Sequence, residues 1–152
     1  MEHERIEREI FIEASPEIVF DVVSSPEHLR QWWPDDAEYE PTPGSNGRIV
    51  FGDADAGDAT GFAVMDAQPP RLFSFRWTQP VGTAAEVGDS LLVTFELTPT
   101  AGGTRLRMTE TGFRDMSWDA ATLETQYAEH EHGWDYFLPR LAPYVARLAA
   151  RS

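Results

Sequence analysis

The stretch SWDAATLETQYAEHEHGWDYFLPRLAPYVARLAARS, residues 117–152, decides how the rest of this chain is read. Projected at about 100° per residue, Leu123, Tyr127, His130, Trp134, Phe137, Leu138, Leu141, Val145 and Leu148 fall on one helical face. The spacing predicts an amphipathic helix of roughly 30 residues, whose apolar stripe must lie on a large surface. Pro139 and Pro143 fall inside it. Each removes a backbone donor and clashes one turn back, at a cost of about 3 kcal/mol in a straight helix. Both project to the face opposite the stripe, so the expectation is a continuous helix bent convex toward solvent, not two separate helices. One member of the stripe, His130, is polar.

The surface for that stripe is read from the residues upstream. In residues 6–14, Ile6, Arg8, Ile10 and Ile12 alternate with Glu7, Glu9, Phe11 and Glu13, as in a strand with one mostly apolar face. Ser15-Pro16 supplies an N-cap and a proline at the first helical position, and Ser25-Pro26 repeats the signal. The first short helix turns Ile18, Val19, Val22 and Val23 inward. The second carries Leu29, Trp32 and Trp33 and ends at Pro34. Strands follow at residues 38–40, 48–51, 61–67, 72–78, 90–98 and 104–111, the last two joined by the turn Pro99-Thr100-Ala101-Gly102-Gly103. Phe73, Phe75 and Trp77 share one face, as do Val93, Phe95 and Leu97, and then Leu106, Met108 and Glu110. Strands this close in sequence pair as an antiparallel meander with one buried face.

Composition narrows the function classes. The chain has 152 residues, 5 Trp, 9 Phe and 4 Tyr, which is enough for one well-filled domain. A formal net charge of −14 argues against nucleic acid and against an anionic membrane surface. All twelve basic residues are arginine. With no cysteine, disulfides, thiol chemistry and cysteine-rich zinc sites are excluded. The charged N-terminus has no apolar signal region, and no run reaches the ~18 apolar residues of a membrane span, so a cytoplasmic protein is expected. The short helix pair offers only Arg30 and His28 to a phosphate backbone, too little for a DNA reader.

Several strings in this order resemble the family named for the activator of the heat-shock-protein-90 ATPase (AHSA-like), within the START-like (SRPBCC, Bet v 1-like) superfamily. They are Ala14-Ser15-Pro16-Glu17-Ile18-Val19-Phe20, Leu29-Arg30-Gln31-Trp32-Trp33-Pro34 and Pro69-Pro70-Arg71-Leu72-Phe73-Ser74-Phe75-Arg76-Trp77. Val93-Thr94-Phe95-Glu96-Leu97-Thr98-Pro99, Gly103-Thr104-Arg105-Leu106, Glu110-Thr111-Gly112-Phe113 and His130-Glu131-His132-Gly133-Trp134 complete the set. The resemblance implies an α+β helix-grip fold over residues 1–152. In it, a curved antiparallel sheet of six to seven strands wraps the long C-terminal helix, with two short helices after the first strand. It also implies a sheet–helix cavity that binds apolar small molecules in many relatives. It does not imply one function, because the superfamily includes carriers, receptors, cyclases and a co-chaperone. In the eukaryotic activator a second, N-terminal domain helps contact the chaperone. These residues hold no counterpart of it, so a chaperone is the lesser expectation as partner.

The candidate ligand-binding residues are the inward aromatics Trp33, Phe51, Phe62, Phe75, Trp77, Phe95, Tyr127 and Trp134, together with Met108, Glu110 and His130. Such rings either line a cavity with a few orienting polar groups or pack into a solid core. Glu110 and His130 are the polar exceptions on apolar stripes. As a pair they could perform acid–base work, or they could be structural. No cofactor is expected. No metal is expected either, since His130 and His132 point about 200° apart on a helix, and Glu129, His132 and Asp135 read as a solvated outer face. The string Asp53-Ala54-Asp55-Ala56-Gly57-Asp58 lacks calcium-loop spacing and reads as an acidic hairpin loop. Trp32 and Trp118 are expected to be exposed and could mark a dimer contact, but single exposed aromatics are common, so monomer and homodimer both stay open. The leading expectation is an apolar ligand in the sheet–helix cavity, its polar end oriented by Glu110, Tyr127 and His130, without catalysis. An acid–base enzyme using Glu110 or His130 and a co-chaperone-like interaction module are the alternatives.

Overall fold

The structure, a computed structural model, describes residues 4–52 and 59–150. The acidic run at 53–58 lies outside the described residues. Strand β1 (Arg5–Ile12) is followed by helices α1 (Pro16–Ser24) and α2 (Pro26–Trp32). Six more strands come next: β2 (Asp36–Glu38), β3 (Asn46–Val50), β4 (Ala59–Gln68), β5 (Leu72–Trp77), β6 (Leu91–Thr100) and β7 (Gly103–Thr111). They form one antiparallel sheet in the order β1-β7-β6-β5-β4-β3-β2. From β2 to β7 this is the expected meander. The first strand then pairs with the last, setting Ile6 opposite Glu110.

Local chemistry accounts for the helix ends. The Ser15 hydroxyl accepts from the Ile18 amide at 3.4 Å and Pro16 opens α1. Ser25 occupies the equivalent position before Pro26 but caps nothing, because its hydroxyl donates to the Glu27 carboxylate instead. The C-terminal segment runs as α3 (Ala120–Phe137), a single 3-10 turn (Leu138–Arg140) and α4 (Leu141–Ala150). Asp119 opens it, accepting from the Thr122 amide at 2.7 Å. The path stays helical through the junction, with Leu138 and Leu141 both in right-handed helical geometry. Pro139 has no N–H to give to Asp135, and Pro143 none to give to Pro139. The turn between them tightens where those bonds are missing. Both prolines are exposed, as the helical projection predicted.

The helices cover the inner face of the sheet. Ile6 and Ile12 from β1, Phe73 and Phe75 from β5, Val93, Phe95 and Leu97 from β6, and Leu106 and Met108 from β7 are all buried there. Val19, Val22, Val23, Leu29, Trp134, Leu138, Leu141 and Val145 come from the helical layer. Each such side chain contributes roughly 1.5–3 kcal/mol by leaving water. Trp32 corrects the sequence reading: it is 0% exposed, and its indole N–H donates to the Val22 carbonyl at 3.1 Å. Adjacent Trp32 and Trp33 both reach the core because α2 stops between them. Trp33 leaves helical geometry at φ −124°, ψ −92°, and the two rings stack at 6.0 Å. Trp118 is partly buried against the same core. Trp32 therefore offers no exposed dimer contact, while Trp118 stays partly accessible. Among the described residues, no helix is long and apolar enough to cross a membrane.

Candidate functional site

The inward alternation of β7 carries Leu106, Met108 and then Glu110, so a carboxylate follows two apolar side chains into the core. Glu110 is 0% exposed. A buried carboxylate is costly unless it is thoroughly hydrogen-bonded. Here the indole N–H of Trp134 donates to Oε1 at 2.8 Å, and that of Trp77 donates to Oε2 at 2.7 Å. His130 Nδ1 lies 3.0 Å from Oε1 and 3.1 Å from Oε2. His130 and Trp134 are one turn apart on α3, so a single helical face supplies two of the three groups. Trp77 comes from the end of β5, two strands away from β7. The chain turns out immediately after it with Thr78 at φ 79°, a left-handed conformation that a β-branched residue holds only at a cost.

His130 is clamped as well as hydrogen-bonded. Its ring centroid is 5.2 Å from Trp77 and 5.5 Å from Phe113, which meets it edge-on. The side chain retains 13% exposure, and that exposed part faces a pocket. The pocket has a volume of about 210 Å³ and is lined by Trp33, Phe51, Trp77, Glu129, His130, Gly133, Trp134 and Phe137. Trp33 forms its back, with ring centroids 5.0 Å from both Trp77 and Trp134 and 5.7 Å from Phe51. Gly133 leaves room on the helix side, because a Cβ there would meet no atom within 4 Å.

The structure therefore divides the sequence-derived candidates into four groups. Trp33, Phe51, Trp77, His130 and Trp134 surround the pocket. Phe62, Phe75, Phe95 and Met108 are core residues beneath it, with Phe62 and Phe75 stacked at 4.2 Å. Glu110 lies under His130 and is sealed from the pocket. Tyr127 is turned away: its hydroxyl donates to the Arg5 carbonyl at 2.7 Å and its ring packs on Phe113. Burial, reinforced by the Glu131 charge, raises its pKa.

Glu129, Gly133 and Phe137 are pocket residues that sequence reasoning did not select. Phe137 was legible as a stripe member. Glycine inside a helix was the available signal for Gly133, since it costs about 1 kcal/mol relative to alanine and invites a reason. Asp135, read as part of a solvated face, instead holds the helix to β1. Arg8 Nε donates to its Oδ1 at 2.7 Å, and a second Arg8 nitrogen reaches Glu131 at 3.3 Å. That hydrogen bond, with the guanidinium charge behind it, lowers the Asp135 pKa. Among the described residues, no three His, Asp or Glu side chains converge as a metal site requires.

A curved sheet pairing its first strand with its last, two short helices and a long helix laid across the inner face define a helix-grip domain of the START-like kind. A family model described as Activator of Hsp90 ATPase homolog 1-like protein matches residues 13–146, and the chain belongs to that family. Protein MLL2253 from Mesorhizobium loti is similar at 27% identity and a TM-score of 0.74, over 94% of this chain and 97% of that one. The Aha1 dimer from Colwellia psychrerythraea is 23% identical with a TM-score of 0.72, over 93% of this chain and 95% of that one. DynU16, from the dynemicin biosynthetic locus, is 24% identical with a TM-score of 0.71, over 94% of this chain but 47% of that longer one. The last two likenesses speak to the fold alone. No match was found among curated proteins.

Proposed function

We propose that this domain binds a small, largely apolar molecule between α3 and the sheet, in the cytoplasm, and releases it unchanged. One observation carries the reading. An aromatic-walled pocket of about 210 Å³ contains a single imidazole, which is fixed from behind by a buried carboxylate. Ligand pockets of this type are apolar with a few placed polar groups, and drug-sized ligands occupy about 300–1,000 Å³. The smaller volume and the solid aromatic core beneath it restrict the ligand to a compact one. His130 would meet its polar end, while Glu110 acts through His130.

Native mass spectrometry of freshly purified protein tests this reading. A co-purifying small molecule, released on denaturation with its mass unchanged after incubation, supports it. An empty protein that also fails to take up small aromatic molecules overturns it. The 3.0 Å Glu110–His130 contact favours acid–base catalysis as the second reading. Conversion of the bound molecule, lost in His130→Gln, would support that reading over simple binding. The likeness to a protein described as a dimer makes a homodimer the assembly to look for, by light scattering at several concentrations.

A further inference from the structure

Hydrogen-bond accounting around Glu110 indicates which chemical group the pocket accepts. An ionised carboxylate only accepts, and an indole N–H only donates. Trp134 and Trp77 each place an N–H on a different oxygen of Glu110, at 2.8 and 2.7 Å. His130 Nδ1 is nearly equidistant from both oxygens, at 3.0 and 3.1 Å. A ring nitrogen in that position acts as a third donor, its N–H shared between the two acceptors. The N–H therefore sits on Nδ1, which leaves Nε2 as the acceptor in the neutral form of the ring. Glu110 is a positioning residue: it sets the tautomer and touches no ligand.

We infer that the pocket takes a compact planar ring bearing a weakly acidic hydroxyl, a phenol, whose O–H donates to His130 Nε2. This rests on the binding reading above and specifies its ligand class. A phenolic hydroxyl suits the site because one proton serves both partners. It can stay on oxygen beside a neutral imidazole, or move to Nε2 and leave a phenolate beside imidazolium, with no proton gained or lost overall. Flat aromatic walls select a flat molecule. A volume near 210 Å³ fits a single ring, since about 150 Å³ suffices for benzene. Charge selects against the obvious competitor, a carboxylate. The pocket rim carries Glu129, Glu110 lies beneath His130, and the chain has a formal net charge of −14.

The test is a titration of the full chain with phenol, anisole, toluene and benzoate, followed by tryptophan fluorescence and calorimetry. Phenol should bind about tenfold more tightly than anisole, which keeps the ring and oxygen but lacks the donor. In His130→Phe the two should bind within about twofold of each other. Equal binding of phenol and anisole to the wild-type chain overturns the hydroxyl inference and leaves the pocket reading standing. A preference for benzoate overturns the lone-pair assignment. Absence of binding by every ring overturns both. Nitrogen-15 NMR of histidine in the unmutated protein supplies a check that does not depend on a variant folding. The His130 signals should report Nδ1 protonated and Nε2 bare, whereas the opposite tautomer contradicts the inference.

Discussion

His130 Nδ1 lies 3.0 Å from Oε1 of Glu110, so the C-terminal helix and the last strand are tied at a carboxylate that solvent does not reach. Two tryptophan N–H groups complete the tie, one from each layer. Removing either partner leaves buried polar groups without their bonds, and the energetic consequences follow from that.

Glu110→Gln keeps the shape but sets an amide donor against N–H groups that had an acceptor. A loss of about 1–3 kcal/mol is expected from urea unfolding. Glu110→Leu should be worse, because three donors then face an apolar side chain. If Glu110→Leu proves as stable as the wild type, the tie is not a stabilising feature of the fold.

Trp32→Ala should cost about 3–5 kcal/mol, from a large cavity together with the lost bond to the Val22 carbonyl. Trp32→Phe should cost less, since most of the volume remains. Neither change should alter the oligomeric state, because the ring is wholly interior.

Asp135 gives a pH signature. Its pKa is lowered by the hydrogen bond from Arg8, so the folded state releases this proton more readily than the unfolded chain does. The stabilisation is present above the ordinary aspartate value of about 3.9 and is lost as pH falls through the lower folded value. Urea midpoints measured downward from pH 5 should therefore decline, and Asp135→Asn should decline less steeply below about pH 4. The effect should be small and weaken with added salt, because the Asp135 side chain is 58% exposed.

The fold was largely legible because its determinants are local. Ser15-Pro16 marks a helix start wherever it occurs, and Phe73, Phe75 and Trp77 announce their face through a period of two. The stripe from Leu123 to Leu148 likewise required a sheet beneath it. Glu110 and His130 stood out for the same reason, as polar members of apolar faces. What the sequence did not contain was distance across the sheet. Nothing in the spacing of Trp77, Glu110 and Trp134 says that two indoles converge on one carboxylate. Nor could it separate Phe62 and Phe75, which stack into solid core, from Phe51 and Trp33, which leave a gap. Trp32 was misplaced although its spacing of three from Leu29 sets it on that residue's buried helical face.

Substitution at Gly133 tests whether the aromatic pocket binds ligands. A Cβ added there meets no atom within 4 Å and a longer side chain extends beside the pocket, and replacing glycine within a helix favours folding. Gly133→Leu should unfold at or above the wild-type temperature while losing at least tenfold in affinity for small aromatic ligands, as about 1.4 kcal/mol of lost binding requires. Gly133→Leu protein that folds normally and binds those ligands as tightly as the wild type would contradict the account.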